Sequence, residues 1–170
     1  MALNRKVIKR NKQALFGGIG ERFLVFTLSQ EAYAIPITRI KECIALTEIT
    51  PVPNTPPHFR GVMNLRGQMV SIVDLRMRLR MSKVENTKRT PIIIVDIKDL
   101  SIGVIVDGIE RVIEVTPPEI LPPPVVETTV DTKFITGSIH KQDRTIFVLD
   151  VEQAVCVDVL REKVKSNEAA

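Results

Sequence analysis

Sliding the chain along itself by 69 residues lays Phe23-Leu24-Val25-Phe26-Thr27-Leu28 on Ile92-Ile93-Ile94-Val95-Asp96-Ile97, and Tyr33-Ala34-Ile35-Pro36-Ile37 on Ile102-Gly103-Val104-Ile105-Val106. The frame continues without a gap through Ile40 over Ile109, Cys43 over Val112 and Pro53 over Pro122. After seven extra residues in the second copy, Gly61 falls on Gly137 and Asp74 on Asp150. Two copies of so long a period do not make a solenoid; they read as homologous units in tandem. Each copy alternates short β-branched and aromatic runs with turn residues, the pattern of an all-β domain. A unit of this size buries only about 60% of its extended surface and is marginal alone. The copies are therefore expected to lean on each other, as two five-stranded β-barrel subdomains packed on a shared hydrophobic seam, with a groove where they meet.

The expected boundaries follow from the same frame. The first barrel spans about residues 21–85 plus a C-terminal segment, and the second about 90–150. Prolines at 51, 53, 56 and 57, and again at 117, 118, 122, 123 and 124, exclude regular pairing within each copy, because proline lacks the amide donor. The one good helical candidate is Val151 to Lys165, where Val151, Ala154, Val155, Leu160 and Val164 form an apolar stripe. Residues 1–20 are basic and then glycine-rich, which reads as a flexible arm, and 161–170 as a tail. The run Gly17-Gly18-Ile19-Gly20 is no phosphate cradle, since a strand pattern rather than a helix start follows it.

Charge narrows the function classes. The chain carries 24 Lys and Arg against 20 Asp and Glu, but Arg5, Lys6, Lys9, Arg10 and Lys12 lie in the arm, leaving 19 against 20, a net −1, over residues 13–170. The basic balance describes the arm and not a basic globule. No apolar run approaches the roughly 18–20 residues that cross a bilayer, so neither a span nor a secretory signal is expected. Cys43 and Cys156 stand far apart, as expected of two reduced, buried thiols in a cytosolic protein.

Catalysis needs converging titratable groups, and the inventory is thin. His58 and His140 are the only histidines; they read as exposed loop residues without the close His or Cys partners that a metal site needs. Asp74 and Asp150, equivalent in the repeat, each close the last strand of a copy and are best explained as caps of the following turn. No enzyme, cofactor or metal is expected. Small barrels also bind single-stranded nucleic acid, through aromatic platforms beside a cationic groove. That is the runner-up reading, with the basic arm supplying charge. It is weakened by the lack of tryptophan and by Phe23 and Phe26 falling at opposite parity on one strand, so that at most one faces out. The internal cluster Arg60, Arg66, Arg76, Arg78, Arg80, Lys88 and Arg89 reads, for all but Arg66, equally as solvated surface or as a docking face for an acidic partner.

One segment breaks the bland pattern. From Gly61 to Arg76 the chain reads as a hairpin turning over Arg66-Gly67, where glycine permits positive φ. The second copy keeps the frame but carries Gln142-Asp143 at its turn. An arginine needed only for folding would be wanted in both copies, so the asymmetry favours a function particular to the first. Asn64-Leu65-Arg66-Gly67 followed by Val70-Ser71-Ile72-Val73-Asp74-Leu75-Arg76 resembles the signature of the CheW-like domain family, adaptors of bacterial chemotaxis arrays. Phe23 to Leu28, Tyr33-Ala34-Ile35, Thr55-Pro56-Pro57 leading to Gly61, Gly103 to Gly108 and Phe134 to Gly137 fall in the family's order. The resemblance covers about residues 21–160.

The resemblance implies two small β-barrels, no catalysis, and a cytoplasmic scaffold linking transmembrane chemoreceptors to the regulatory domain of the histidine kinase CheA. It places Ile37, Ile40, Gly61, Arg66, Gly67, Ile109 and Val112 in the region that docks the receptor's cytoplasmic hairpin tip. Ile40, Glu42 and Cys43 fall near the first contact with the kinase. Leu121, Val125 and Val126 stand where some relatives carry an arginine and a glutamate-phenylalanine pair for a second kinase contact, which implies an interface built differently here. Ser71 replaces a proline common in the family's strand, restoring an amide donor without changing the fold.

Overall fold

The computed structural model describes residues 20–82, 84–123, 125 and 132–155. Eleven strands account for most of them: β1 (Glu21–Leu28), β2 (Glu31–Pro36), β3 (Ile40–Ala45), β4 (Phe59–Leu65), β5 (Gln68–Asp74), β6 (Pro91–Ile97), β7 (Leu100–Ile105), β8 (Gly108–Val115), β9 (Ile120–Leu121), β10 (Ile135–Lys141) and β11 (Arg144–Leu149). Four tight hairpins join β1 to β2, β4 to β5, β6 to β7 and β10 to β11. Their turns fall at Ser29-Gln30, Arg66-Gly67, Lys98-Asp99 and Gln142-Asp143, with φ positive at both residues of each. That geometry matches the right-handed twist of the flanking strands. Only one of the four turns uses glycine.

The repeat survives into fine detail. The pairing of β3 with β6 shifts register between Ile40 and Glu42, and that of β1 with β8 shifts between Phe26 and Val25, opposite Ile109 and Arg111. In the frame of 69 residues these are the same bulge. The hairpins β4–β5 and β10–β11 likewise each bulge just before Gly61 and Gly137.

The copies nevertheless do not build separate sheets. One sheet runs β8-β1-β2-β11-β10-β9 and the other β3-β6-β7-β5-β4. Each therefore takes its first hairpin from one copy and the remaining strands from the other, joined by parallel pairs, β2 with β11 and β5 with β7. Two closed five-stranded barrels are not what forms. One sheet has six strands, and neither closes into a barrel by continuous pairing among the described residues. Between β3 and β4 only an isolated Thr50–Val62 bridge forms; the prolines that follow Thr50 supply no donors to extend it. Between β8 and β10 the two-residue β9 is equally short, flanked by Pro117, Pro118, Pro122 and Pro123.

The shared seam is present. Leu24, Phe26, Leu28, Tyr33 and Ile35 from one sheet pack with Val73, Ile93, Val95, Ile97 and Val104 from the other in one buried cluster. The alternate residues of the same strands fill the two concave faces: Phe23 and Val25 with Ile113, Ile139 and Ile146, and Ile92 and Ile94 with Met63, Val70 and Ile72. Strands β1 and β6 are buried on both faces, which is why they read as unbroken apolar runs and not as alternation. At about 1.5–3 kcal/mol for each large side chain fully removed from water, the seam is a dominant stabilising element. Two short helices, α1 (Leu75–Arg78) and α2 (Val151–Val155), pack against each other on the same seam cluster. Asp74 accepts the Arg76 amide and Asp150 the Gln153 amide, the capping role expected of both. The predicted helix to Lys165 is described only through Val155; the remainder, with Cys156, the tail and residues 1–19 of the arm, lies outside the described residues.

Candidate functional site

Arginine Arg76 is not a docking group. It is 1% exposed, and its guanidinium donates to Asp74 Oδ1 at 2.9 Å and Oδ2 at 2.7 Å, to Asp107 Oδ1 at 3.0 Å, and to Asn86 Oδ1. Asp107 in turn accepts the Ser29 amide at 2.7 Å, so the network ties α1, the β7–β8 connection and the β1–β2 turn together across the seam. Arg78 donates to the Ala154 carbonyl at 2.6 Å and lies over the Phe134 ring. Arg60 reaches the Met77 sulfur. Three members of the basic cluster, Arg60, Arg76 and Arg78, thus bind the protein itself. The position equivalent to Arg76 in the second copy is Glu152, so an arginine present in only one copy can serve folding.

Arg66 behaves differently. It sits at the tip of the β4–β5 hairpin with φ +49°, followed by Gly67 at φ +84°, whose amide donates to Asn64 Oδ1 at 2.8 Å. Its guanidinium reaches across to β3 and grips Glu42 with two parallel bonds, Nη1 to Oε1 and Nη2 to Oε2, both 2.8 Å. This planar fork is geometry that lysine cannot reproduce. The side chain of Arg66 remains 73% exposed against 22% for Glu42, so it keeps donors for an outside partner. The hydrogen bonds from Arg66 hold the Glu42 carboxyl below its ordinary 4.5. Because the folded value is depressed, the pair is complete above 4.5 and opens as the pH falls through the folded value. Carboxyl-resolved NMR should show Glu42 titrating below its ordinary value, and Arg66→Ala should shift that titration upward; a Glu42 titration unchanged by Arg66→Ala would mean that the fork does not persist in solution.

The other candidate residues fall on two edge strands. Across an antiparallel pair, opposed side chains share a face. Ile40 opposes Val95 and Cys43 opposes Ile93, while Val112 opposes Leu24 and Ile109 opposes Phe26. All four partners belong to the seam cluster, so the four edge residues lie on the seam side of their sheets. Ile109 and Val112 are 37% and 50% exposed, and Ile37 and Ile40 are half-buried against the seam. The 3₁₀ turn Ile37–Arg39 contacts both β1 and β6, bridging the sheets beside these residues. Cys43 is exposed and not buried as expected, on the edge strand β3, which pairs on one side alone among the described residues. Val125 is fully exposed, and Val126 lies outside the described residues.

Gly61 has a structural reason independent of any partner. Its φ is +134°, and a Cβ there would run into the Thr50 carbonyl oxygen, so the bridge to Thr50 requires glycine.

Nothing here groups for catalysis. His58 is half-buried, with its pKa pushed below 6.5 by burial and by Arg78, and His140 lies on strand β10 and not in a loop. Among the described residues no set of three His, Cys, Asp or Glu side chains could hold a metal, and no helix is long and apolar enough to cross a membrane. Phe23, Phe26 and Tyr33 are all buried, and among the described residues the exposed large hydrophobics include no aromatic on which a base could stack.

Two interlocked sheets with apolar, partly exposed edge strands and an exposed arginine, forked onto a glutamate at one hairpin tip, define a protein-docking module. The chain belongs to the CheW-like domain family, which matches residues 22–156. It is 33% identical over 135 residues to the chemotaxis protein CheW of Klebsiella aerogenes, covering 79% of this chain and 81% of that one. Against the chemotaxis protein CheW of Helicobacter pylori it is 32% identical, covering 91% and 96%. The crystal structure of the scaffolding protein TtCheW from Thermoanaerobacter tengcongensis superposes with a TM-score of 0.72 at 35% identity, covering 78% of this chain and 90% of that one. Membership makes the chain a non-catalytic chemotaxis scaffold.

Proposed function

We propose that this scaffold couples transmembrane chemoreceptors to the regulatory domain of the histidine kinase CheA, working in the cytoplasm and reaching the membrane only through the receptors. The receptor's hairpin tip docks along the apolar edge residues Ile37, Ile40, Ile109 and Val112, with Arg66 presented by the turn that Gly61 and Gly67 shape. The kinase meets β3 at Ile40, Glu42 and Cys43, and a second contact uses Val125 and Val126. The observation that carries this reading is the Glu42–Arg66 fork: it joins β3 to the β4–β5 hairpin while leaving most of the arginine side chain open to an outside partner. A few central residues usually carry most of an interface's affinity, and an arginine so placed is a strong candidate.

Purified protein should bring the kinase down with a receptor cytoplasmic fragment in a sedimentation assay, and the kinase alone should stay in the supernatant. Failure to bind either the kinase regulatory domain or the receptor fragment would overturn the assignment of partners.

A further inference from the structure

The Glu42–Arg66 fork has a counterpart that the same repeat frame locates. Arg111 falls on Glu42 in the frame of 69 residues, and Gln142 falls on Arg66 once the seven extra residues are passed. Arg111 Nη2 donates to Gln142 Oε1 at 2.8 Å, again joining an edge strand to the tip of the neighbouring hairpin. Both strand residues follow the same bulge, and they oppose Ile94 and Val25, which are themselves equivalent. Both are flanked on the seam side by an equivalent pair, Ile40 and Cys43 on β3, Ile109 and Val112 on β8.

The chemistry is inverted between the two. On β3 the strand carries a carboxylate and the turn an arginine, so each charge answers the other. On β8 the strand carries the guanidinium and the turn a neutral amide, which orients the cation without neutralising it. Of the carboxylates around it, Glu110 is engaged with Arg144 at 2.7 Å and Glu119 with Lys141 at 3.3 Å, while Asp143 follows Gln142 in the turn and Glu114 lies further along β8. Arg111 shares the edge strand with exposed Ile109 and Val112 but opposes Val25 and so lies on the other face of the sheet; a helix laid along the strand edge, its apolar side on the isoleucine and valine and flanked by a carboxylate, meets both.

We propose that Arg111, oriented by Gln142, is the charged contact of the β8 strip and takes a carboxylate on the chemoreceptor hairpin, so that the sign difference between the β3 and β8 edges sets which way the docked hairpin runs. This rests on the adaptor reading above. The probe is the cytoplasmic fragment of a chemoreceptor from the same organism, titrated against wild type, Arg111→Glu, Arg111→Lys and Gln142→Ala at low and high salt, with the kinase regulatory domain titrated in parallel. Arg111→Glu should weaken receptor binding at least tenfold at low salt and less at high salt, with the kinase affinity and the thermal midpoint unchanged. Arg111→Lys should recover part of the loss, and Gln142→Ala should show a smaller loss than Arg111→Glu. If wild type binds the receptor and Arg111→Glu binds it equally, or if the kinase affinity falls instead, the role of Arg111 is wrong while the adaptor reading stands. If wild type binds neither partner, the adaptor reading itself fails.

Discussion

Arg66→Glu should abolish receptor-dependent activation of the kinase while leaving the thermal unfolding midpoint nearly unchanged. The fold has little stake in the arginine. Its pair with Glu42 lies at the surface, where water screens the charges and ion pairs stabilise weakly. The turn itself is held by Gly67 and by the bond from its amide to Asn64, which the substitution leaves in place. The new carboxylate would face that of Glu42, so the fork opens and the hairpin tip presents the wrong sign to a partner. The reversed pair, Glu42→Arg with Arg66→Glu, separates two causes. It restores an ion pair between the same positions but returns neither a guanidinium to the turn nor a carboxylate to the kinase contact on β3, so it should remain inactive. Recovery of activity in the reversed pair would reduce Arg66 to a brace for the hairpin, and a loss of stability matching the loss of activity would assign it to folding.

The largest change in stability is expected at Arg76. Removing its guanidinium by Arg76→Ala strands the buried carboxylate of Asp74 and the partly buried one of Asp107 without their cation. Breaking one side of a buried ion pair typically costs about 3–5 kcal/mol, a large share of the roughly 5–15 kcal/mol by which domains are stable. For a chain of this size the midpoint should fall by roughly 10 °C. Arg76→Lys should recover little, because one ammonium cannot meet Asp74 in two directions while also reaching Asp107. Denaturant melts of the two variants provide the measurement. A loss below about 1 kcal/mol for Arg76→Ala would mean that the carboxylates reach water without the arginine and that the network is not buried in solution.

The strands, the hairpin over Arg66-Gly67 with its counterpart at Gln142-Asp143, the seam and the two caps were legible: the strands from apolar runs broken by turn residues, the seam from the small size of each copy, and the caps from an aspartate before each short helix. What sequence could not deliver was partnership between distant segments. Nothing in the run from Phe23 to Leu28 states that its outer neighbour is β8 and not β3, and so the exchange of strands between sheets was missed, with the barrels drawn as closed. The same limit applied at the site. Arg66 was singled out by its asymmetry, yet its bond to Glu42, 24 residues earlier, joined two positions that the sequence had divided between different partners. Arg76 was grouped with surface cations because burial of a charge depends on carboxylates brought in from elsewhere, here Asp107, 31 residues on.

The exchange of strands bears on how such a chain could arise. A single copy making these pairings would own a hairpin and three further strands but no complete sheet, and would need a second molecule to finish both. Fusing the copies turns a meeting that depends on dilution into one within a single polypeptide, where a short tether holds the halves at an effective concentration of order millimolar. The joined gene no longer relies on its own abundance to fold, and the two edges, freed from identity, could diverge until one displayed an acid and the other a base.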